Sequence, residues 1–206
     1  MAKKADKKNR YGDRLITGEA RLSFSHLDTP DSGGQYSDDK YKADLLFGDP
    51  KDPNMQSLIA GCKKLAKEYF GTDSTKDIKY PWKPSDKYAA KGYGGYEAGN
   101  YHITAKSTQK PRLKDVNKVD IEGSVFYGGC VVRANLTPGV YEKTENQTIV
   151  ENGERREEEV MIKGITIYLN AMQFVKDGER FGGGGGDDFD DQYAGSQDAA
   201  ESDDGF

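Results

Sequence analysis

Basic and aromatic side chains alternate through residues 76–118 of the chain. This segment holds ten Lys or Arg residues against four Asp or Glu residues, which gives it a charge of +6. Cationic side chains neutralise phosphates, and exposed aromatic rings stack on unpaired nucleobases. Because the bases of a duplex are already stacked on one another, this combination favours a single strand of nucleic acid over a duplex.

The candidate contacts form two chemical groups, rings for bases and cations for phosphates. Tyr101 is left out of the rings because it opens an alternating strand and is predicted to be a core residue. Trp82 stands between Pro81 and Pro84, so it either stacks on a base or anchors the loop. The predicted rings are Tyr80, Trp82, Tyr88, Tyr93, Tyr96 and Tyr127. The predicted cations are Lys79, Lys83, Lys87, Lys91, Lys106, Lys110, Arg112 and Arg133.

A strongly acidic tail ends the chain. Residues 187–206 contain eight Asp or Glu residues and no Lys or Arg, so the tail carries −8 and leaves +3 on the rest of a chain whose net charge is −5. The glycines from Gly182 to Gly186 form a flexible tether before it. Such a tail either competes with a polyanion for the basic body and recruits other proteins, or serves only as a solubility tail. The residues predicted to bind partners are Asp203, Asp204 and the terminal Phe206.

Signatures of catalysis or metal binding are missing from the sequence. It has no GxxxxGK[ST], HExxH or GxSxG motif, and Glu97 stands where a GxGxxG motif starting at Gly92 needs its third glycine. Cys62 and Cys130 form no CxxC pair, which predicts two reduced core thiols rather than a disulfide or zinc site. We therefore expect a protein that is not an enzyme and uses no cofactor or metal. A nuclease would need an ordered carboxylate cluster, and the tail carboxylates follow a flexible tether.

Period-two alternation predicts most of the ordered elements. Residues 16–24, with Ile16, Ala20, Leu22 and Phe24 facing inward, and residues 41–47 read as two neighbouring strands joined by a loop over 28–39. Strands are also expected at 101–105, at 130–136 and over 160–174, the last with a break at Gly164. A polar segment from 144 to 159 reads as a hairpin or loop that turns at residues 152–153.

One amphipathic helix is predicted between the second and third strands. Asp52 is a capping residue, Pro53 suits the first helical position, and Gly71 ends the helix. The apolar positions from Met55 to Tyr69 recur at helical spacing and indicate a stripe packed on a sheet. About five long strands with this one helix favour a small antiparallel barrel, and a β-sandwich is the alternative.

Two stretches of the sequence resemble a known family. YGGCVVRANLTPGVYEK, from Tyr127 to Lys143, and GITIYLNAMQFVKDGERFGG, from Gly164 to Gly183, are similar to bacteriophage single-stranded DNA-binding proteins of a family long catalogued as a domain of unknown function. Those proteins also have an acidic tail that ends in phenylalanine. The resemblance runs from about Gly18 to the end of the chain. It implies a mainly β, five-stranded OB-fold, single-stranded DNA (ssDNA) binding with little sequence preference, and a role in phage replication, recombination or repair.

The expected organisation is a flexible basic N-terminus over 1–14, an OB-fold domain over 15–181, and the hinge and acidic tail over 182–206. A basic start without the apolar stretch of a signal peptide predicts action in the cytoplasm of the infected host cell. The expected partners are ssDNA and, through the tail, replication or recombination proteins. A phage structural or scaffold protein is the alternative function. Oligomeric state, cooperativity and the choice between DNA and RNA stay open at this point.

Overall fold

The structure, a computed structural model, describes residues 9–32, 37–48, 51–72, 78–151 and 154–182, with side chains at all of these except 149–151 and 154. The acidic tail and most of the predicted N-terminal segment lie outside the described residues. So does the predicted turn at 152–153.

Nine strands and two α-helices make up the described part of the chain. The helices are α1 (Pro53–Phe70) and α2 (Asp86–Ala89), and a short 3-10 helix covers Gly123–Val125. The strands are β1 (Leu15–Ile16), β2 (Ala20–Asp31), β3 (Lys40–Phe47), β4 (Ile78–Lys79), β5 (Trp82–Pro84), β6 (Tyr101–Ser107), β7 (Arg112–Lys114), β8 (Val131–Glu151) and β9 (Glu154–Lys176).

The five long strands close into a barrel. They are hydrogen-bonded in the order β8, β2, β3, β6, β9, and β9 pairs back onto β8. The β6–β9 pairing is parallel and the others are antiparallel. The predicted OB-fold is therefore confirmed, and the alternative β-sandwich is wrong. The four short strands add to the edges of this barrel.

Helix α1 lies where the sequence predicts it, after the second long strand. The Asp52 carboxylate accepts hydrogen bonds from the backbone N–H groups of Asn54, at 2.7 Å, and Met55, at 3.2 Å. Pro53 is the first helical residue, and Gly71 ends the helix in the left-handed conformation with φ of 79°. An N-cap of this kind stabilises a helix by about 1 kcal/mol. The buried side chains on its inner face include Met55 and Leu58.

The barrel core is formed by alternating strand residues such as Leu22, Leu45 and Ile103, each of which is fully buried. Two residues predicted to face this core do not. Ile16 is 66% exposed and Phe24 is 47% exposed. Ile16 belongs to the two-residue edge strand β1, which has β8 on one side only. At Phe24 the register of β2 against β3 shifts, so the inside-outside alternation changes phase.

Strands β8 and β9 form one long hairpin that reaches beyond the barrel. Their pairing runs without interruption from Leu136 opposite Leu169 out to Glu151 opposite Glu154. The predicted break at Gly164 is wrong, because this glycine pairs within the ladder opposite Tyr141. A side chain at Gly164 would overlap the Tyr141 ring, so the glycine makes room for that ring. The polar segment over 144–159 is a hairpin, as predicted.

Both cysteines are buried free thiols, as predicted. Burial raises the pKa of the Cys62 thiol to about 12, which keeps it protonated. No helix in the described part of the chain is long and apolar enough to cross a membrane.

Candidate nucleic-acid interface

Three partly exposed rings converge over the outer face of β2, β3 and β6. Phe24 contacts Tyr93 edge-on at 5.3 Å between ring centroids and lies 6.3 Å from Tyr88. Phe24 is 47% and Tyr93 43% exposed. Phe24 comes from the irregular part of β2, while Tyr88 and Tyr93 come from α2 and the turn that follows it. Two distant segments therefore build one aromatic surface, with faces open to a ligand.

This surface forms one wall of a groove of about 520 Å³, which we call the aromatic groove. Its other lining residues come mainly from the neighbouring strands and include three lysines. The lining residues are Phe24, His26, Lys42, Asp44, Lys83, Tyr88, Tyr93, Thr104 and Lys106. The groove thus places cations beside open rings, which is the pairing that phosphates and unstacked bases require.

Two of the groove lysines are held by carboxylates at the end of β2 and just before β3. Lys42 donates to Asp31, and this hydrogen bond holds the pKa of the Asp31 carboxyl below its ordinary value. Lys106 donates to Asp38 at 2.6 Å. Burial acts to raise the pKa of Asp38, but the bond and nearby lysine charges outweigh it and the pKa is lowered. Within the described part of the chain, Lys83 has no ion-pair partner.

A buried polar layer supports the rings from beneath. Tyr96 is only 5% exposed, and its hydroxyl donates to the buried Asp44 carboxylate at 2.8 Å. Burial, followed by the Asp44 charge, raises the pKa of the Tyr96 phenol, so Tyr96 stays a donor. Its ring stacks on Tyr88 at 4.7 Å. Tyr96 was predicted to stack on bases; its burial shows instead that it holds Tyr88 in position.

His102 completes this layer and is fully buried. Its Nδ1 lies 3.2 Å from the Ser85 hydroxyl, and its ring meets Tyr88 and Tyr96 edge-on at 4.9 and 5.1 Å. Burial lowers the pKa of His102, which favours the neutral ring. His102 is thus a buried packing residue beneath the Tyr88 and Tyr96 rings.

Tyr80 and Trp82 form a separate pair. Their rings stack at 4.4 Å with 17° between planes, and both are partly buried against the core. Trp82 belongs to β5, where successive side chains point to opposite faces. Because its neighbour Lys83 lines the aromatic groove, Trp82 faces away from it. Of the two roles that the sequence leaves open for Trp82, this position supports the anchor.

Tyr127 also lies outside the aromatic groove. Its hydroxyl donates to Asp177 at 2.9 Å and accepts from the backbone N–H of Gly178 at 3.0 Å. The Arg180 guanidinium lies over its ring at 4.1 Å. The segment that continues from β9 then places Phe181 against the Gly94–Gly95 turn, where a side chain on Gly95 would overlap the Phe181 ring and one on Gly94 would overlap its Cβ. Tyr127 thus fixes the segment that leads into the acidic tail.

The predicted cations divide between several places. Lys83 and Lys106 line the aromatic groove. Lys87 and Lys91 are exposed on α2 and the turn after it. Lys79 lies 4.0 Å from Glu145 near the β8–β9 hairpin. The remaining three line two other cavities, and they are Lys110, Arg112 and Arg133.

A family model described as the ssDNA-binding protein of Enterobacter phage Enc34 matches residues 13–204 of the chain. The chain belongs to this family. The predicted resemblance to phage ssDNA-binding proteins is thereby confirmed. A curated relative, protein p50 of Acyrthosiphon pisum secondary endosymbiont phage 1, is 26% identical over 183 residues, which cover 84% of this chain and 88% of the relative.

Solved structures of phage ssDNA-binding proteins share the fold. The ssDNA-binding protein of bacteriophage Enc34 in complex with ssDNA is 20% identical, with a TM-score of 0.57 over 85% of this chain and 96% of that chain. A C-terminally truncated form of the same protein is 22% identical, with a TM-score of 0.58 over 88% and 99%. The bacteriophage T7 protein gp2.5 is 11% identical, with a TM-score of 0.52 over 81% and 93%.

Sequence reasoning missed five residues of the aromatic groove. Alternation places Phe24 in the core, His26, Lys42 and Asp44 lie in the first two long strands outside the basic segment, and Thr104 is neither a cation nor a ring. One sequence signal could have found Lys42. It follows Tyr41 in a predicted strand, and alternation therefore places it on the polar face of that strand. Among the described residues, no group of three or more His, Cys, Asp or Glu side chains could hold a metal ion.

Proposed function

We propose that this protein binds ssDNA with little sequence preference and that the aromatic groove is the binding site. The observation that carries the proposal is the cluster of Phe24, Tyr88 and Tyr93 beside Lys42, Lys83 and Lys106 in one groove. Every base has a π-face, so stacking on these rings tolerates any sequence. A duplex presents no free base faces to them, which supports the preference for a single strand.

Membership of a phage ssDNA-binding family supports the same activity. In this proposal the protein covers ssDNA during phage replication, recombination or repair, in the cytoplasm of the infected host cell, and does no chemistry on it. The acidic tail, with −8 on residues 187–206, competes with DNA for the basic body and recruits replication or recombination proteins when DNA displaces it. The terminal Phe206, beside Asp203 and Asp204, suits a shallow apolar pocket rimmed by cations on such a partner.

The decisive experiment is a salt titration with single-stranded and duplex oligonucleotides of mixed sequence. We expect tight, sequence-tolerant binding to ssDNA that weakens linearly on a log–log plot, with about −0.7 in slope for each phosphate contacted. Three groove lysines at phosphates would give a slope of about −2. A slope near zero, or a preference for the duplex, would favour the scaffold function instead.

Removing the Asp38 carboxylate is expected to strengthen ssDNA binding. In the free protein Lys106 donates to Asp38 at 2.6 Å, so a phosphate must compete with that carboxylate. Asp38→Asn leaves Lys106 available, and we expect a salt slope steeper by about 0.7, equal to one added phosphate contact. The control Glu68→Gln removes the same charge from the exposed face of α1. If both variants behave alike, the gain reflects net charge only and Lys106 does not contact DNA.

A further inference from the structure

A second concave surface lies on the outer face of β8 and β9. It consists of two cavities, of about 310 and 250 Å³, which share Asn135 and Ala171 in their linings. In these strands Ala134, Leu136 and Met172 face the core, so Asn135 and Ala171 alternate outward. Strand β1 and the residue before it border the surface on one side, and β7 with its flanking loops borders it on the other. We call it the β8–β9 trough.

The trough is strongly basic. Six cations line it and, among the described residues, no Asp or Glu does: the cations are Arg14, Lys110, Arg112, Lys114, Lys118 and Arg133. Lys110 and Lys114 have carboxylate partners outside the lining, Asp28 at 3.0 Å and Asp120 at 2.6 Å. Among the described residues, Arg133 donates to the neutral backbone carbonyl of Thr17 and forms no ion pair.

Three of these cations are available to a ligand. Arg14, Arg112 and Lys118 are exposed, and their side chains make no ion pair within the part of the chain that the structure describes. Unpaired cations that face one surface repel one another in the free protein. A bound anion relieves that repulsion and is stabilised by the cations. The charge complementarity therefore points to a polyanion.

The floor of the trough suits a sugar-phosphate backbone better than stacked bases. Its outward side chains include the amides of Asn135, Asn170 and Gln173. Asn170 donates to Asn135 and Thr137, and Gln173 donates to the backbone carbonyl of Asp115, so among the described residues the Asn135 N–H groups are the amide donors left for a phosphate. No aromatic side chain lines either cavity among the described residues. Contacts without stacking would carry no preference for any base.

The trough comes close to the aromatic groove at the end of β6. Lys106 lines the groove, and the next residue, Ser107, lines the trough. Their Cα atoms are about 3.8 Å apart, but neighbouring strand residues point to opposite faces, so the two surfaces open on different sides of β6. A strand of DNA leaving the aromatic groove would therefore turn around the end of β6 to enter the trough.

We propose that the β8–β9 trough is a second ssDNA contact, which binds the phosphates of nucleotides that extend beyond the aromatic groove. The proposal rests on the proposed function, because it needs DNA in that groove. The trough would extend the binding site around the barrel. Bases would stack in the aromatic groove, and phosphates would bind the cations of the trough. The acidic tail of the chain is the other polyanion at hand, and the experiment separates the two.

The test compares oligo(dT) of about 5 and about 20 nucleotides on the full-length protein, since OB-folds cover about 4 to 16 nucleotides. The variant Arg14→Gln/Arg112→Gln/Lys118→Gln removes three unpaired cations from the trough. We expect the affinity gain from the short to the long oligonucleotide to shrink, and the salt slope on the long one to fall by about 2. When the salt is raised from 50 to 200 mM, the variant should therefore lose about 20-fold less affinity than the unaltered protein loses.

The matched control is Lys63→Gln/Lys67→Gln/Lys163→Gln, which removes the same charge from the region of α1. It should leave the length dependence intact. An equal loss in both triple variants would overturn the trough and indicate a net-charge effect. Tighter binding by the trough variant at low salt would show that the trough holds the acidic tail instead of DNA. If the unaltered protein binds neither oligonucleotide, the proposed function itself fails.

Discussion

Replacing Phe24 by glycine or by alanine is expected to weaken ssDNA binding by about 1 to 3 kcal/mol, the contribution of one base-stacking ring. The two variants should nevertheless differ in fold stability. Phe24 has φ of +40°, in the region that L-residues avoid and glycine adopts freely. The free energy of unfolding should therefore be about 1 kcal/mol larger for the glycine variant than for the alanine variant.

A glycine variant that is more stable than the alanine variant would indicate strain at residue 24. In an ordinary strand, glycine makes the protein less stable than alanine does, by about 0.5 to 1 kcal/mol. Denaturant unfolding gives the stabilities, and fluorescence anisotropy with labelled oligo(dT) gives the affinities. Tyr11→Ala, at a ring that is 56% exposed outside the aromatic groove, is the control and should bind normally. Unchanged binding by both Phe24 variants would remove this ring from the site, and alanine more stable than glycine would argue against strain at residue 24.

The strain at Phe24 has a structural cause that bears on function. The register of β2 against β3 shifts between Ser23 and His26, as in a β-bulge. Bulges redirect side chains, and backbone strain is concentrated at functional sites. Here the irregularity turns a ring that the alternation would send into the core toward Tyr88 and Tyr93. In the regular strand Phe24 would add to the core and the aromatic groove would lose one of its two most exposed rings.

This irregularity also marks the limit of what the sequence could predict. Helix α1 was predicted to the residue because its signals are local: Asp52 caps it, Pro53 starts it and Gly71 ends it. Strand β3, predicted over 41–47 and observed over Lys40–Phe47, followed from local alternation in the same way. A bulge has no comparable signature in one sequence, so the alternation through Phe24 predicted the wrong side. The same local reasoning failed at Gly164, which is required by a cross-strand ring rather than by a break.

The candidate site was predictable in composition and not in arrangement. The basic, aromatic segment does supply Lys83, Tyr88, Tyr93 and Lys106 to one groove. The charge and ring content of the segment cannot show which of its residues face one another across a barrel. Because β6 closes against β9, Lys110 and Arg112 lie on another surface. Burial of Tyr96 depends on the Asp44 carboxylate of a distant strand, which no spacing in the sequence reveals.

Deleting residues 187–206 is expected to tighten ssDNA binding at low salt by about tenfold. The deletion removes −8 from a chain whose remaining residues carry +3. Because the tail is covalently attached to the body, we expect it to have an effective concentration of about a millimolar and to compete with phosphates for the same cations. Because charges are screened beyond about 8 Å at physiological ionic strength, added salt should erase the difference.

Two further variants separate the tail's charge from its terminal ring. Changing its eight carboxylates to amides keeps the length of the tail, and should tighten DNA binding as the deletion does. Phe206→Ala keeps the charge; it should leave DNA affinity nearly unchanged while reducing capture of phage replication proteins, because the terminal ring is proposed to enter an apolar pocket on them. Equal DNA affinity with and without the tail at low salt, together with unchanged capture, would leave the tail with a role in solubility alone. A gain in affinity that persists at high salt would contradict electrostatic competition and indicate steric blocking of the aromatic groove.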